Sequence, residues 1–358
     1  MKRRKILQLA LPSALAACQL DPIDTASHNN QDIFRWKMAT TWPPNFPGLG
    51  SGARQLVDYI ERCSNGRIQI DLYSAGELVP AFEVFDAVSQ GAVEMGHSGA
   101  YYWRGKSEAV QFFSSVPFGM NAHGVNSWIY YGGGLDLWRE VYAPFGVIPF
   151  PAGNSGVQMG GWYNKKIERM EDFQGLKMRL PGIAGEALRL AGGIPVTLPG
   201  AELFTALSTG TLDAVEWVGP YNDLAFGLHQ AAQYYYYPGW HEPGPIMECI
   251  VNENAFNSLP DDLRAIVRVT CQAANLDMIS EYNARNARAL SQIRQMEGIE
   301  IVKFPKEVLT GLKERTNQVI AEMTARDPLS AKIWSSYNVF MSKSQPWFEV
   351  SELAYLNL

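Results

Sequence analysis

Cysteine is scarce in this chain of 358 residues, with four in all, of which Cys63, Cys249 and Cys271 follow the N-terminal segment. None stands in a C-x-x-C pair, which excludes a zinc ribbon and a dithiol redox motif. Three thiols beyond Cys18 leave at least one unpaired. Whether Cys249 and Cys271 form a bridge stays open, because spacing alone gives no geometry. Positive charge is also short: 30 Lys and Arg stand against 36 Asp and Glu, a formal net charge of −6. An acidic body does not suit the phosphate backbone of a nucleic acid. His97, His123, His229 and His241 are scattered singly and read as structural. The chain contains no nucleophile elbow, P-loop or H-E-x-x-H motif. Beyond the N-terminal segment, no apolar run is long enough to span a membrane.

What is present describes an exported globular protein. Hydrophobic residues make up 47% and charged residues 18%, ordinary for a soluble chain and enough for two lobes with separate cores. Aromatic residues, at 12%, favour apolar enclosure of a small molecule, although most rings must belong to the cores. The first 18 residues, MKRRKILQLALPSALAAC, combine a basic start, an apolar stretch and small residues before Cys18, the pattern of an export signal. Leu15-Ala16-Ala17-Cys18 has lipobox character, in which Cys18 would carry lipid; an ordinary cleavage site at Ala16-Ala17 is the other reading. Residues 1–31 are therefore signal and linker.

Along the body, Trp36–Trp42 and Arg67–Tyr73 alternate like strands around a helix at Leu56–Arg62, and Pro43–Gly48 forms a rigid turn. Glu83–Glu94, EVFDAVSQGAVE, is echoed by Glu202–Asp213, ELFTALSTGTLD, which shares its Glu, Phe, Ala, Ser and Gly. Both read as a helix, a capping glycine and a buried strand. The strand ends that follow, His97–Tyr102 and Glu216–Tyr221, would face each other across a cleft, where ligands of α/β sheets sit. The alternation of strand and helix predicts parallel sheets. Lys177–Leu180 is a short strand that delivers Arg179 to an edge closed by Pro181-Gly182. Long amphipathic helices are expected over 259–295 and 305–326. The aromatic residues of 330–358 expose too much apolar surface to stand unpartnered.

Four positions could meet at one ligand: Gln158, Arg179, the Glu216-Trp217 pair and Glu242. A guanidinium matches a carboxylate through two parallel hydrogen bonds. Two carboxylates, an amide oxygen and a backbone carbonyl make an oxygen cage suited to Na⁺ or Ca²⁺. Blander readings are a surface ion pair for Arg179, a buried one for Glu216 and a turn cap for Glu242. Glu216 and Glu242 could also be the acid and base of a secreted carbohydrate-active hydrolase, a reading that depends on a carboxyl separation the sequence does not give.

Gly175–Gly182 (GLKMRLPG), Gly192–Pro199, Glu216–Asp223 (EWVGPYND) and Tyr235–Gly244 (YYYPGWHEPG) resemble the solute-binding subunits of tripartite ATP-independent periplasmic (TRAP) transporters over about 35–330. Within that family they are similar to the branch that binds 2-oxo or 2-hydroxy monocarboxylates with a metal cation. The resemblance implies an α/β, two-lobed periplasmic-binding-protein-like fold, hinge-linked, with long C-terminal helices. It places 32–155 and roughly 216–252 in lobe I, 156–215 and roughly 253–330 in lobe II, and a tail at 331–358 that some members use to dimerise. It assigns Arg179 to the ligand carboxylate and Gln158, Glu216, the Trp217 carbonyl and Glu242 to the cation, Na⁺ favoured over Ca²⁺. Asn154, Tyr101 and Tyr102 would meet the ligand's polar edge, with Trp217 and Phe46 as apolar walls. The implied partners are a pyruvate-like acid, with lactate, a sugar acid or a C4-dicarboxylate as alternatives, and a membrane permease. The implied protein is periplasmic, without nucleic acid and without catalysis.

Overall fold

β1 (Phe34–Thr40) buries Trp36 and Met38 and exposes Arg35 and Lys37, the alternation of a strand with one covered face. The computed structural model describes residues 32–358, so the export signal and Cys18 lie outside the described residues. β1 lies between β2 (Ile68–Tyr73) and β3 (Met95–Gly99), parallel to both. β10 (Ile246–Asn252) then adds antiparallel to β3, and β4 (Val147–Asn154) adds antiparallel to β10. Every residue of β10 is buried, as expected of a strand covered on both faces.

A second sheet runs in the order β11 (Glu300–Lys303), β9 (Tyr234–Tyr237), β5 (Gly161–Tyr163), β8 (Ala214–Val215), β6 (Lys177–Arg179), β7 (Ile194–Val196). Residues Ile33–Leu358 form one unit holding both sheets. The chain crosses between the sheets through 155–160, through 238–245, and again from the helix Asp261–Ile293 to β11. That helix of 33 residues starts behind Pro260 with Asp261 and Asp262 in its first turn, where carboxylates complement the helix dipole.

The echoed segments take the same form in both lobes. Val84–Ser89 and Leu203–Ser208 are helices, each followed by a glycine in the left-handed region, Gly91 at φ 72° and Gly210 at φ 71°. The lobe boundaries differ from those expected. β9, expected in lobe I, pairs in the second sheet, and the helix Asp261–Ile293, expected in lobe II, packs along β4 of the first. Hydrophobic period identifies a strand or helix but not the sheet it joins, and the antiparallel return of β10 moves the crossing to 238–245. Cys63, Cys249 and Cys271 are all free thiols. The tail forms the helix Pro328–Phe348, capped by Asp327 and anchored by buried Ile333 and Tyr337. Its far end leaves Trp347, Val350, Leu353, Tyr355 and Leu356 exposed.

Candidate functional site

The short strand β6 ends at Arg179, whose side chain is buried between the two lobes. One guanidinium nitrogen donates to the Glu216 carboxylate at 2.7 Å and to the Glu216 carbonyl at 3.0 Å. The other terminal nitrogen donates to the Tyr102 hydroxyl at 3.0 Å, and the guanidinium carbon lies 4.9 Å from the centre of the Trp217 ring. Burial opposes the charge on Arg179, but the Glu216 carboxylate together with Tyr102, Tyr101 and Glu242 outweighs it and holds the guanidinium above its ordinary pKa. Its Nε has no hydrogen-bond partner.

Gln158 and Glu242 come from the two crossing segments, which are bonded side by side: Gln158 N–H donates to the Glu242 carbonyl at 3.2 Å, and Gly239 N–H to the Gln158 carbonyl at 2.9 Å. The Gln158 side-chain amide donates to Glu242 Oε2 at 2.7 Å and to Ser155 Oγ at 3.1 Å. Burial, and then the nearby Glu216 carboxylate, push the Glu242 carboxyl well above its usual range. His241 places Nε2 3.4 Å from Glu216 Oε1.

Gln158 Oε1 and Glu216 Oε1 are buried without a hydrogen-bond partner. Unmatched buried oxygens beside a carboxyl of raised pKa are what a hard cation would satisfy. Among the described residues no group of three or more His, Cys, Asp or Glu is arranged to hold a metal ion. The oxygens that meet here belong to Glu216, Glu242 and the Gln158 amide, hard donors that suit an alkali or alkaline-earth ion rather than zinc.

Beside these groups lies a cavity of about 10 Å³ lined by Trp42, Leu49, Tyr101, Gln158, Trp217, Val218 and Met247. Of the residues singled out from sequence, Gln158, Arg179, Glu216, Trp217, Glu242, Tyr101 and Tyr102 converge here. Phe46 stands one layer behind, edge-on to Trp217 at 6.1 Å and stacked on Phe226 at 4.2 Å. Asn154 is committed elsewhere: its amide donates to the Gly244 carbonyl at 3.1 Å and its oxygen accepts from Gly156 N–H at 2.8 Å, tying the crossing segments to β4.

Sequence reasoning passed over Trp42, Leu49, His241 and Met247. Trp42 sits two residues past the end of β1, a position that could have marked it, and its indole donates to His97 Nδ1 at 2.7 Å. His97 Nε2 faces the Ala152 carbonyl at 3.4 Å, so Nδ1 is the acceptor nitrogen. Burial pushes the His97 pKa down to about 4, against that carbonyl contact. Nothing in the sequence separated Met247 from its buried neighbours in β10.

Comparison with known proteins follows the same outline. Residues 38–327 match the family model DctP, described as bacterial extracellular solute-binding protein, family 7. The chain is 40% identical to the monocarboxylate 2-oxoacid-binding periplasmic protein of Nostoc sp., over 100% of this chain and 98% of that protein. It is similar to a TRAP periplasmic solute binding protein from Pseudoalteromonas atlantica T6c, solved with bound sodium and pyruvate. There the TM-score is 0.89 at 41% identity, covering 91% of this chain and 99% of the other. A counterpart from Colwellia psychrerythraea with bound calcium and pyruvate gives a TM-score of 0.89 at 42% identity, again over 91% and 99%.

Proposed function

The chain belongs to the DctP family of bacterial extracellular solute-binding proteins, and from that premise we propose that it captures a short 2-oxo monocarboxylate, pyruvate or a near neighbour, with one sodium or calcium ion, and delivers it to the membrane subunits of a TRAP transporter. The observation that carries this reading is the buried Arg179, held at a strand end by Glu216 and Tyr102 beside oxygens of Gln158 and Glu216 that have no partner.

Arg179 would hold the ligand carboxylate, while Gln158, Glu216, the Trp217 carbonyl and Glu242 would hold the cation. When bound, the cation would supply positive charge against the two glutamates and the ligand's oxygens. Tyr102 and Trp217 fix the guanidinium plane, and Trp42, Leu49 and Met247 exclude water from the apolar end. These groups stabilise the ground state of a small anion, and none is placed to attack it, so we read the site as a binder and not a catalyst. A C4-dicarboxylate would need a second cationic partner, and no Lys or Arg lines the cavity, while a sugar acid would need far more room than the cavity offers.

Two further readings belong to the same proposal. Lipidation at Cys18 would anchor the receptor at the membrane. The exposed apolar end of the tail would pair two copies of the chain.

Thermal melts with pyruvate, lactate, succinate and galacturonate, each with and without a chelator and with sodium or calcium restored, test the ligand assignment. Pyruvate at about a hundred times its Kd should stabilise by about 2.7 kcal/mol. Arg179→Ala should remove that gain, since truncating one partner of a buried charge pair costs about 2–5 kcal/mol of binding. Stabilisation by succinate or galacturonate alone would sink the ligand class while leaving the family intact.

A further inference from the structure

Met247 closes the apolar end of the cavity, and a second methionine, Met278, packs over two neighbouring glycines. In the pairing of β10 with β4, the register shifts between Met247 and Glu248. Such bulges re-aim side chains next to sites. Glu248 turns to one face, where its carboxylate accepts from Trp103 Nε1 at 2.5 Å and from the Tyr142 hydroxyl at 2.8 Å. Met247 turns to the other and lines the cavity with Trp42, Leu49 and Val218. Directly across the register from Met247 stands Gly153. A Cβ at Gly153 would lie 2.5 Å from Met278 Sδ and 3.1 Å from Met247 Cβ, and a Cβ at Gly52 would also run into Met278. The Met278 thioether therefore fills the space over both glycines, and Met247, 2% exposed, is packed beside it.

We propose that Met247 is the specificity-determining residue of the cleft: it sets the length of the ligand side chain, admitting 2-oxo acids with a methyl or ethyl group and refusing branched, longer ones. This rests on the reading of the cleft as a 2-oxo monocarboxylate site. With the carboxylate on Arg179 and the 2-oxygen toward Gln158 and the cation, the remaining substituent of a 2-oxo acid has one direction left, toward Trp42, Leu49, Val218 and Met247. The free space of the cavity, about 10 Å³, is of the order of one water molecule, so a longer substituent can be seated only if Met247 gives way. Met278, locked over Gly52 and Gly153, makes the boundary stiff despite the flexibility of a thioether side chain.

Isothermal titration of the full chain with pyruvate and with 4-methyl-2-oxopentanoate, in sodium and in calcium buffer, tests the proposal. The unaltered protein should prefer pyruvate by at least about tenfold, the discrimination an apolar pocket makes for an added methylene. Met247→Ala should shift the ratio of the two dissociation constants by at least about tenfold toward the branched acid, and Met247→Leu, of similar volume, should leave it unchanged. Should the alanine variant fail to fold, Met247→Val should move the ratio in the same direction by a smaller factor. An unchanged ratio in a folded variant that still binds pyruvate would overturn the role of Met247 and leave the ligand assignment standing. Equal affinity of the unaltered protein for both acids would do the same. If neither acid binds the unaltered protein, both the assignment and the role of Met247 fall.

Discussion

Glu248 and His97 are both fully buried in the first lobe, and they pull the pH dependence of stability in opposite directions. Burial pushes Glu248 up to about 7 although Trp103 and Tyr142 donate to it. The folded chain thus keeps a proton that the unfolded chain releases near the ordinary glutamate value; the associated stability is complete below that value and lost as pH rises through about 7. His97, pushed down to about 4, works the other way: its contribution is present above the ordinary histidine value and lost as pH falls through about 4. Glu248→Gln removes the first effect and unmasks the second, so its melting temperature should climb more steeply than that of the unaltered protein from about pH 4.5 to 6.5. Parallel calorimetric curves for the two proteins would refute this account. Residues of this kind were illegible in the sequence. Arg179, Glu216 and Glu242 could be singled out because each combines charge with a strand end or a tight turn. Glu248 sits inside an apolar strand, and His241 looked like part of a turn, because burial and neighbours, not residue type, give them their chemistry.

At the scale of elements, the helices and strands with clear periodicity were legible: β1, β2 and the helices Asp261–Ile293 and Lys306–Arg326 lie close to where the patterns put them. The echo of Glu83–Glu94 in Glu202–Asp213 also gave the matching helix, left-handed glycine and strand of the two lobes. Lobe membership was not legible, since strands of two to four residues such as β8 and β9 carry too little pattern to name their neighbours. Close packing between β4 and the long helix gives an element-scale prediction. Gly153→Ala puts a methyl group against Met278 and Met247, and overpacking of this sort costs about 1–3 kcal/mol. Denaturant unfolding should register that loss, and an unchanged midpoint would show that Met278 repacks freely.

For the molecule as a whole, the tail gathers several exposed apolar side chains among the described residues. Trp347 is 68% exposed and Leu356 77%. Deleting 347–358 should convert a dimer to a monomer in light scattering without weakening pyruvate binding, because the helix is anchored upstream by Tyr337, whose hydroxyl accepts from Met120 N–H at 2.7 Å. A full-length chain that is already monomeric at high concentration would dismiss the pairing.

The Arg179–Glu216 contact, finally, has a meaning for how cargo is loaded and let go. On the proposed reading Glu216 is a tethered rival of the substrate: its carboxylate occupies the guanidinium at an effective concentration no dissolved acid need match. A cation that claims Glu216 draws the rival away, and a substrate that claims Arg179 frees a ligand for the cation. Each arrival tightens the binding of the other by the same factor, as linkage requires. The receptor then behaves as a two-key lock, holding firmly only when ion and acid are both present. Withdrawing either one at the membrane is enough to make it surrender the other.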